Sequence, residues 1–479
     1  MALLVALCSC DDDTFTISPS NQLTFSIDTV RFDTLFSTVP SSTRSFWVYN
    51  RSGDGLRCTN VRLANGNQTG FRVNVDGAFL SPTAGYQVND IEVRNKDSIR
   101  VFVELTSPRN HQDVPTKLKD DLIFTLESGV QQRVNLEAYS WDARLMQDVS
   151  IDEDSTLSGS TPIVVYGGIK VSEGATLTIA AGTTIYFHAG AGIEVHGRLV
   201  CQGTATENVV LRGDRLDRMF DYLPYDFVSG QWNGIRLCGE SYDNSIRFTD
   251  IHGAFDGLVA DSSDVERQKL LLECSTIHNC QGYGLKTVNS QIQLSNCQIT
   301  NTLHNCVAVY GGRMDMNNCT LAQFYPFDAS RGNALLFSSL EHPLHQLDCR
   351  NTLITGYADD EMTGTHDKDS ENAFNFLFSN CIIRTPKVET DDSVRFVNVS
   401  FELPEDTVGT GKRHFRKVDI DNQRYDFHTD SLSTAIGKAD PETAATTDRD
   451  GQQRDGKPDI GAYEFLEEQE KGDEENPND

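Results

Sequence analysis

The stretch Gly284-Leu285-Lys286-Thr287-Val288-Asn289-Ser290-Gln291-Ile292-Gln293-Leu294-Ser295-Asn296-Cys297-Gln298-Ile299 is answered 22 residues later by Cys306-Val307-Ala308-Val309-Tyr310-Gly311-Gly312-Arg313-Met314-Asp315-Met316-Asn317-Asn318-Cys319-Thr320-Leu321. Apolar residues alternate in both copies, and the pair Asn-Cys returns at the same place. The phrase recurs after insertions as Asn351-Thr352-Leu353-Ile354 and Asn380-Cys381-Ile382-Ile383. One unit earlier the same place is held by Ser275 and Ile277. Self-similarity at a fixed period is the signature of a solenoid. This unit is too short for two helices. It suits one coil of a parallel β-helix, with three short strands and three turns. Coils spaced about 4.8 Å apart would stack about ten deep into a rod about 50 Å long. Asn at the turn is expected to ladder its amide with the Asn above and below. The Cys beside it packs inward as a small hydrophobe.

Working outward, the coil rhythm begins near Thr161, where short strands such as Ile163–Tyr166, Leu177–Ile179, Ile193–Val195 and Val209–Leu211 end at Gly or Asn. Ahead of it, from Leu23 to about Arg144, the pattern changes to strict alternation. Ile99, Val101, Val103 and Leu105 alternate, as do Leu122, Phe124 and Leu126. Such period-two runs mark half-buried strands. Several of them between Gly turns predict a β-sandwich, similar to the immunoglobulin-like domains that precede other modules in surface proteins. The expected division is a signal segment 1–10, a tether 11–21, a sandwich 22–146, an acidic Ser-rich linker 147–160, a parallel β-helix 161–400, a closing segment 401–465 and an acidic tail 466–479. The fold class is all-β throughout.

The rod resembles the right-handed parallel β-helix family with the pectin-lyase-like fold. The resemblance rests on Ala175-Thr176-Leu177-Thr178-Ile179-Ala180-Ala181-Gly182-Thr183-Thr184-Ile185, on Ile193-Glu194-Val195-His196-Gly197, and on Gln231-Trp232-Asn233-Gly234-Ile235. Asp448-Arg449-Asp450-Gly451 and Pro458-Asp459-Ile460-Gly461-Ala462-Tyr463-Glu464 resemble the closing segment of β-helix proteins common in Bacteroidetes. The chain opens Met-Ala-Leu-Leu-Val-Ala-Leu-Cys-Ser-Cys, followed by Asp11, Asp12 and Asp13. This is similar to a lipoprotein signal peptide, without the usual basic n-region. It implies Cys10 as the lipidated residue and an acidic surface-export signal behind it. The implied location is the outer membrane, lipid-anchored and surface-exposed.

Composition sets limits on function. The chain has 479 residues, with 41 Lys+Arg against 70 Asp+Glu and a net charge of −29. That balance argues against nucleic-acid binding, which needs basic patches to neutralise phosphate. No Cys-x-x-Cys zinc pattern, serine elbow or phosphate loop is present. The Gly-His-Gly segment of the fold's hydrolases is also missing. The sequence alone therefore leans toward a non-catalytic surface protein that binds extracellular polysaccharide or adheres. The alternative is a polysaccharide lyase or glycoside hydrolase acting on an outer coil face.

Candidate residues follow from chemistry. Asp250 and His252 alternate on one strand, share a face and form a possible acid/base pair. The insertion 214–232 breaks the coil rhythm and carries Phe220, Tyr222, Tyr225 and Trp232. Aromatic faces beside charged groups suit sugar rings. Asp448, Asp450, Asp455 and Asp459 begin with Asp-x-Asp-Gly spacing and are candidate calcium ligands. Asp426-Phe427-His428-Thr429-Asp430 has acid/base composition, but its place in the closing segment reads as structural.

Overall fold

The computed structural model describes residues 14–466, except 67, 113, 221, 389–393 and 407. Cys10 and the acidic tail lie outside the described residues. The chain divides into two compact units, Met1–Ala143 and Arg144–Asp479.

The first unit is a sandwich of two five-stranded sheets. In one, Arg44–Asn50 pairs antiparallel with Ser98–Leu105, which pairs with Phe71–Val75. In the other, Gln131–Trp141 lies between Thr116–Leu126, antiparallel, and Thr29–Phe36, parallel. The alternating residues face inward as expected. Val101, Val103, Leu105, Leu122, Phe124, Val134 and Leu136 are all fully buried in one core.

The second unit is the parallel β-helix. Its strands stack in three ladders. The first runs from Ser155–Leu157 through Thr176–Ala180 and Arg198–Gln202 to Leu377–Ser379. The second runs from Ile163–Val171 through Thr184–Phe187, Val209–Gly213, Thr249–His252, Thr276–Cys280 and Gln298–Thr302 to Ser400–Glu402. The third includes Ile193–Val195, Ile235–Leu237, Leu258–Ala260 and Met362–Thr365. The repeat seen in the sequence is the coil: Thr276 pairs with Gln298, Gln298 with Thr320, Thr320 with Leu353 and Leu353 with Ile382. Cys297, Cys319 and Cys381 sit just before these pairs, fully buried, and no described cysteine is in a disulfide.

The expected linker 147–160 is instead the first coil. Arg144–Ile151 pairs in parallel with Ile163–Val171, and Ser155–Leu157 with Thr176–Ala180. Its acidic residues alternate with Ile151 and Leu157, which point into the core. High polarity concealed a half-buried strand pattern.

The Asn positions behave differently from expectation. Asn296, Asn318, Asn351 and Asn380 take φ of 52°, 50°, 49° and 50°, the left-handed region that Asn tolerates better than most residues. Among the described residues, two amides of this column meet only at Asn398 and Asn380, at 3.3 Å. The other three bind the closing segment. Asn296 donates to the Thr447 carbonyl, Asn318 accepts from the Ala445 amide, and Asn351 accepts from the Asp440 amide. Residues 411–465 thus form a strap that runs back along the outer face of the second ladder. Phe415, Phe427, Ile460, Ala462 and Tyr463 make a separate core there with Phe324, Leu353 and Ile382.

Replacing Asn318 by Ala is expected to cost about 2–5 kcal/mol. The left-handed backbone accounts for about 1–2, and the Ala445 amide left without its acceptor for about 1–3. Asn318→Gly keeps the backbone easy and should cost only the second part. Urea unfolding of the two variants checks the difference.

Candidate active site

The groove that gathers the titratable groups lies on the outer face of the second ladder. One wall is the insertion 214–232. The other is the strap. Strands 209–213, 249–252, 276–280 and 298–302 form the floor, and the groove encloses about 870 Å³.

Asp250 and His252 share an outward face of their strand, as alternation requires. His252 Nδ1 is hydrogen-bonded to Asp250 Oδ1 at 2.9 Å, and Nε2 to Asp226 Oδ1 at 2.9 Å. One rung on, His278 Nε2 is 3.3 Å from the same Asp250 oxygen. The two imidazoles stack at 4.8 Å. Arg212 Nη1 lies 2.7 Å from Asp226 Oδ1. Burial opposes the charge on His252, but Asp250 and Asp226 prevail and push its pKa up to about 9. Burial likewise opposes ionisation of Asp250, yet the two histidines hold it well below the usual carboxylate range. His252 is therefore an imidazolium at neutral pH, and Asp250 a carboxylate.

A second imidazole comes from the strap. His428 Nδ1 is 2.5 Å from Asp426 Oδ1, and Nε2 is 2.7 Å from Asp450 Oδ2. Asp426 and then Asp450 raise its pKa to about 9. His428 in turn lowers that of both aspartates. Its ring packs on Tyr463 at 4.2 Å. Arg449 secures this corner to the floor, donating to Thr276 Oγ1 at 3.0 Å and to Asn208 Oδ1 at 2.9 Å. Arg218 and Arg424 also line the groove.

This trio has a readable pH dependence. Folding raises the pKa of His428 from about 6.5 to about 9, so its contribution is complete below pH 6.5 and is lost as pH rises through 9. Folding lowers the pKa of Asp426 and Asp450, so their contribution is lost as pH falls below about 3.8. Each side chain is more than a third exposed, and solvent screening keeps the amplitude small. Melting temperatures of wild type and His428→Gln should differ most near pH 5–6 and converge above pH 10.

The insertion's aromatics separate into three fates. Trp232 is a correction: it is 1% exposed, stacks on Phe187 at 4.3 Å, and donates to the His252 carbonyl. It belongs to the rod's core, where no ligand reaches it. Tyr225 lies under the Arg215 guanidinium at 3.8 Å. Phe220 and Tyr222 are both 55% exposed and stack on each other at 5.8 Å, with Tyr222 also lining the groove.

The four candidate calcium ligands have separate engagements. Asp448 accepts from the amides of Asp450, Gln452 and Glu464. Asp459 accepts from Gly437 and Phe465, Asp455 from Lys457, and Asp450 meets His428. Backbone N–H groups thus hold Asp448, Asp455 and Asp459, and the His428 imidazole holds Asp450.

Reasoning from sequence missed His278 and set His428 aside. His278 had a signal, because the repeat places it one rung from His252. His428 and Asp450 stood out by composition alone and Arg449 not at all, since only the return of the strap brings them to the groove.

Comparison with known proteins agrees with the architecture. Residues 149–323 match the family described as right handed beta helix region. No curated protein matches the chain. Among solved structures, the catalytic unit of a thermostable GH87 alpha-1,3-glucanase from Streptomyces thermodiastaticus strain HF3-3 is similar over 74% of this chain and 88% of its own, at 10% identity and a TM-score of 0.27. A family 123 glycoside hydrolase from Clostridium perfringens is similar over 27% and 26%, at 9% identity and a TM-score of 0.19. The VesB protease of Vibrio cholerae is similar over 25% of this chain, at 15% identity and a TM-score of 0.17, and this chain spans 32% of that protein. The protein is thus an all-β chain built on a right-handed parallel β-helix.

Proposed function

We propose that the protein cleaves an acidic extracellular polysaccharide at the groove between the insertion and the strap, by acid–base elimination. The observation that supports this is the pair of imidazoles, His278 and His428, that line one groove with Arg218 and Arg424 in a chain of net charge −29. The aspartates of the groove are held by histidines or by Arg212 and Arg449, so they present little free negative charge to an anionic ligand. In the reaction, cationic side chains offset the uronate carboxylate. His278, oriented by Asp250, takes the proton beside that carboxylate. The C–O bond to the next sugar breaks, and imidazolium His428 supplies the proton to the leaving oxygen.

The purely adhesive reading keeps one specific support, the exposed Phe220–Tyr222 stack, whose faces suit sugar C–H groups. In the catalytic reading this pair seats the chain at the groove mouth. Attachment of the whole to the outer membrane through a lipid on Cys10 is part of the same proposal. The test is incubation with a panel of acidic polysaccharides. Unsaturated uronide absorbing in the ultraviolet is expected. New reducing ends without that absorbance would replace elimination by hydrolysis. Retention on a glycan gel with neither product would leave the binding reading.

A further inference from the structure

On the third ladder, away from the groove, a second cluster has the makings of a metal site. Glu194 points outward from Ile193–Val195, and His196 follows it. One rung on, Cys238 follows Ile235–Leu237, with its amide bonded to the Val195 carbonyl. His196 and Cys238 are therefore neighbours across the ladder. His196 Nε2 lies 2.6 Å from Glu194 Oε1 and 3.8 Å from Cys238 Sγ. The carboxylate, imidazole and thiol offer three ligand atoms within 4.8 Å of one another.

Three features set this cluster apart from an ordinary ion pair. First, the other imidazole nitrogen, Nδ1, is hydrogen-bonded to the Glu240 carboxylate. That arrangement orients a metal-binding histidine and leaves Nε2 as the ligand atom. Second, Cys238 is the one cysteine among the described residues whose sulfur meets an imidazole, whereas Cys201, Cys280, Cys297 and Cys319 belong to the rod's core. Third, the turn carrying Cys238 is held rigid. The fully buried Lys269 donates to the carbonyls of Cys238 and Ser241 at 2.5 and 3.0 Å.

We infer that Glu194, His196 and Cys238 bind a Zn²⁺ ion, with Glu240 positioning the imidazole. A donor set of one thiolate, one imidazole and one carboxylate selects zinc among the common divalent ions and suits a tetrahedral site. Three protein ligands leave a fourth position for water or an incoming oxygen ligand. Glu194 also lines a cleft of about 530 Å³ with Lys170, Asn233, Arg236 and Asp256.

Cobalt tests the assignment directly, because a thiolate on Co²⁺ gives a charge-transfer band in the near ultraviolet. Full-length, metal-stripped protein titrated with Co²⁺ should develop that band and the visible bands of a tetrahedral ion at one equivalent. Zn²⁺ should bleach them. Cys238→Ser should lose the charge-transfer band, and His196→Gln should lose both sets. Glu240→Gln should keep the band but bind about ten- to a hundredfold more weakly. Should the serine variant fail to fold, Glu194→Gln and Glu240→Gln carry the test, since both replace half-exposed side chains. No charge-transfer band in the wild type, or a band that survives Cys238→Ser, overturns the site.

Discussion

His278→Ala and His428→Ala are each expected to lower the rate of polysaccharide cleavage by a factor of about 10²–10⁴, the usual contribution of a positioned acid or base. The two losses should differ in their dependence on pH. In the proposed reaction His428 is the acid, and with its pKa of about 9 its contribution should fade on the alkaline side. Removing it should flatten that limb of the rate profile. His278 shares Asp250 with His252, so Asp250→Asn should resemble His278→Ala in rate. Phe220→Ala with Tyr222→Ala should raise KM while changing kcat little, because these rings lie at the mouth. Arg212 adds a control. It holds Asp226 and not the reacting atoms, so Arg212→Lys should change rate less than either histidine replacement. Equal activity of wild type and both histidine variants would remove the groove as the seat of chemistry.

Arg454→Ala is expected to be the most destabilising single change in the strap, by about 3–5 kcal/mol. The guanidinium is 2% exposed and pairs with Glu464, itself 3% exposed, at 3.0 Å. It also donates to the carbonyls of Asp459 and Gly461 and to Asn296 of the rod. Glu464 in turn accepts from the amides of Asp455 and Asp459. Removal of the cation leaves a buried carboxylate without its charge partner and several carbonyls without donors. Arg454→Met with Glu464→Gln should recover part of the loss, because it removes both charges and retains much of the volume. Thermal and urea unfolding give the stability. Proteolysis after residue 410 shows whether the strap opens by itself. Because the strap carries His428, loss of Arg454 should also lower activity without touching the groove.

The rod was legible because its interior obeys a local rule. Each coil must place an aliphatic or small residue inward at the same three places, and each rung pairs with the next. Ile277, Ile299, Leu321 and Ile354 therefore repeat in sequence as they do in space. The left-handed turn favours Asn at 296, 318, 351 and 380 for an equally local reason, although Phe248 and Cys274 take the same conformation in the two preceding coils. The first coil was concealed by its own polarity. Glu153 and Asp154 made 147–160 look like a linker, although Ile151 and Leu157 kept the inward positions.

The site obeys no such rule. Asp250 and His252 could be singled out because two residues apart on a strand means one face. The sequence also placed Trp232 beside Phe220 and Tyr222 in one aromatic loop. Packing separates them, since Trp232 fills the coil against Phe187 while the other two stay in water. The sequence by itself determined the all-β class, the period of the solenoid and the inward thiols, since these depend on neighbours in the chain or one coil away. The tertiary structure alone decided where the strap lies. Burial of Phe415, Phe427, Ile460 and Tyr463 on the second ladder, with the Arg454–Glu464 pair, carries His428 to the groove of Asp250. That pairing joins residues nearly two hundred positions apart through packing, and no periodicity in the chain encodes it.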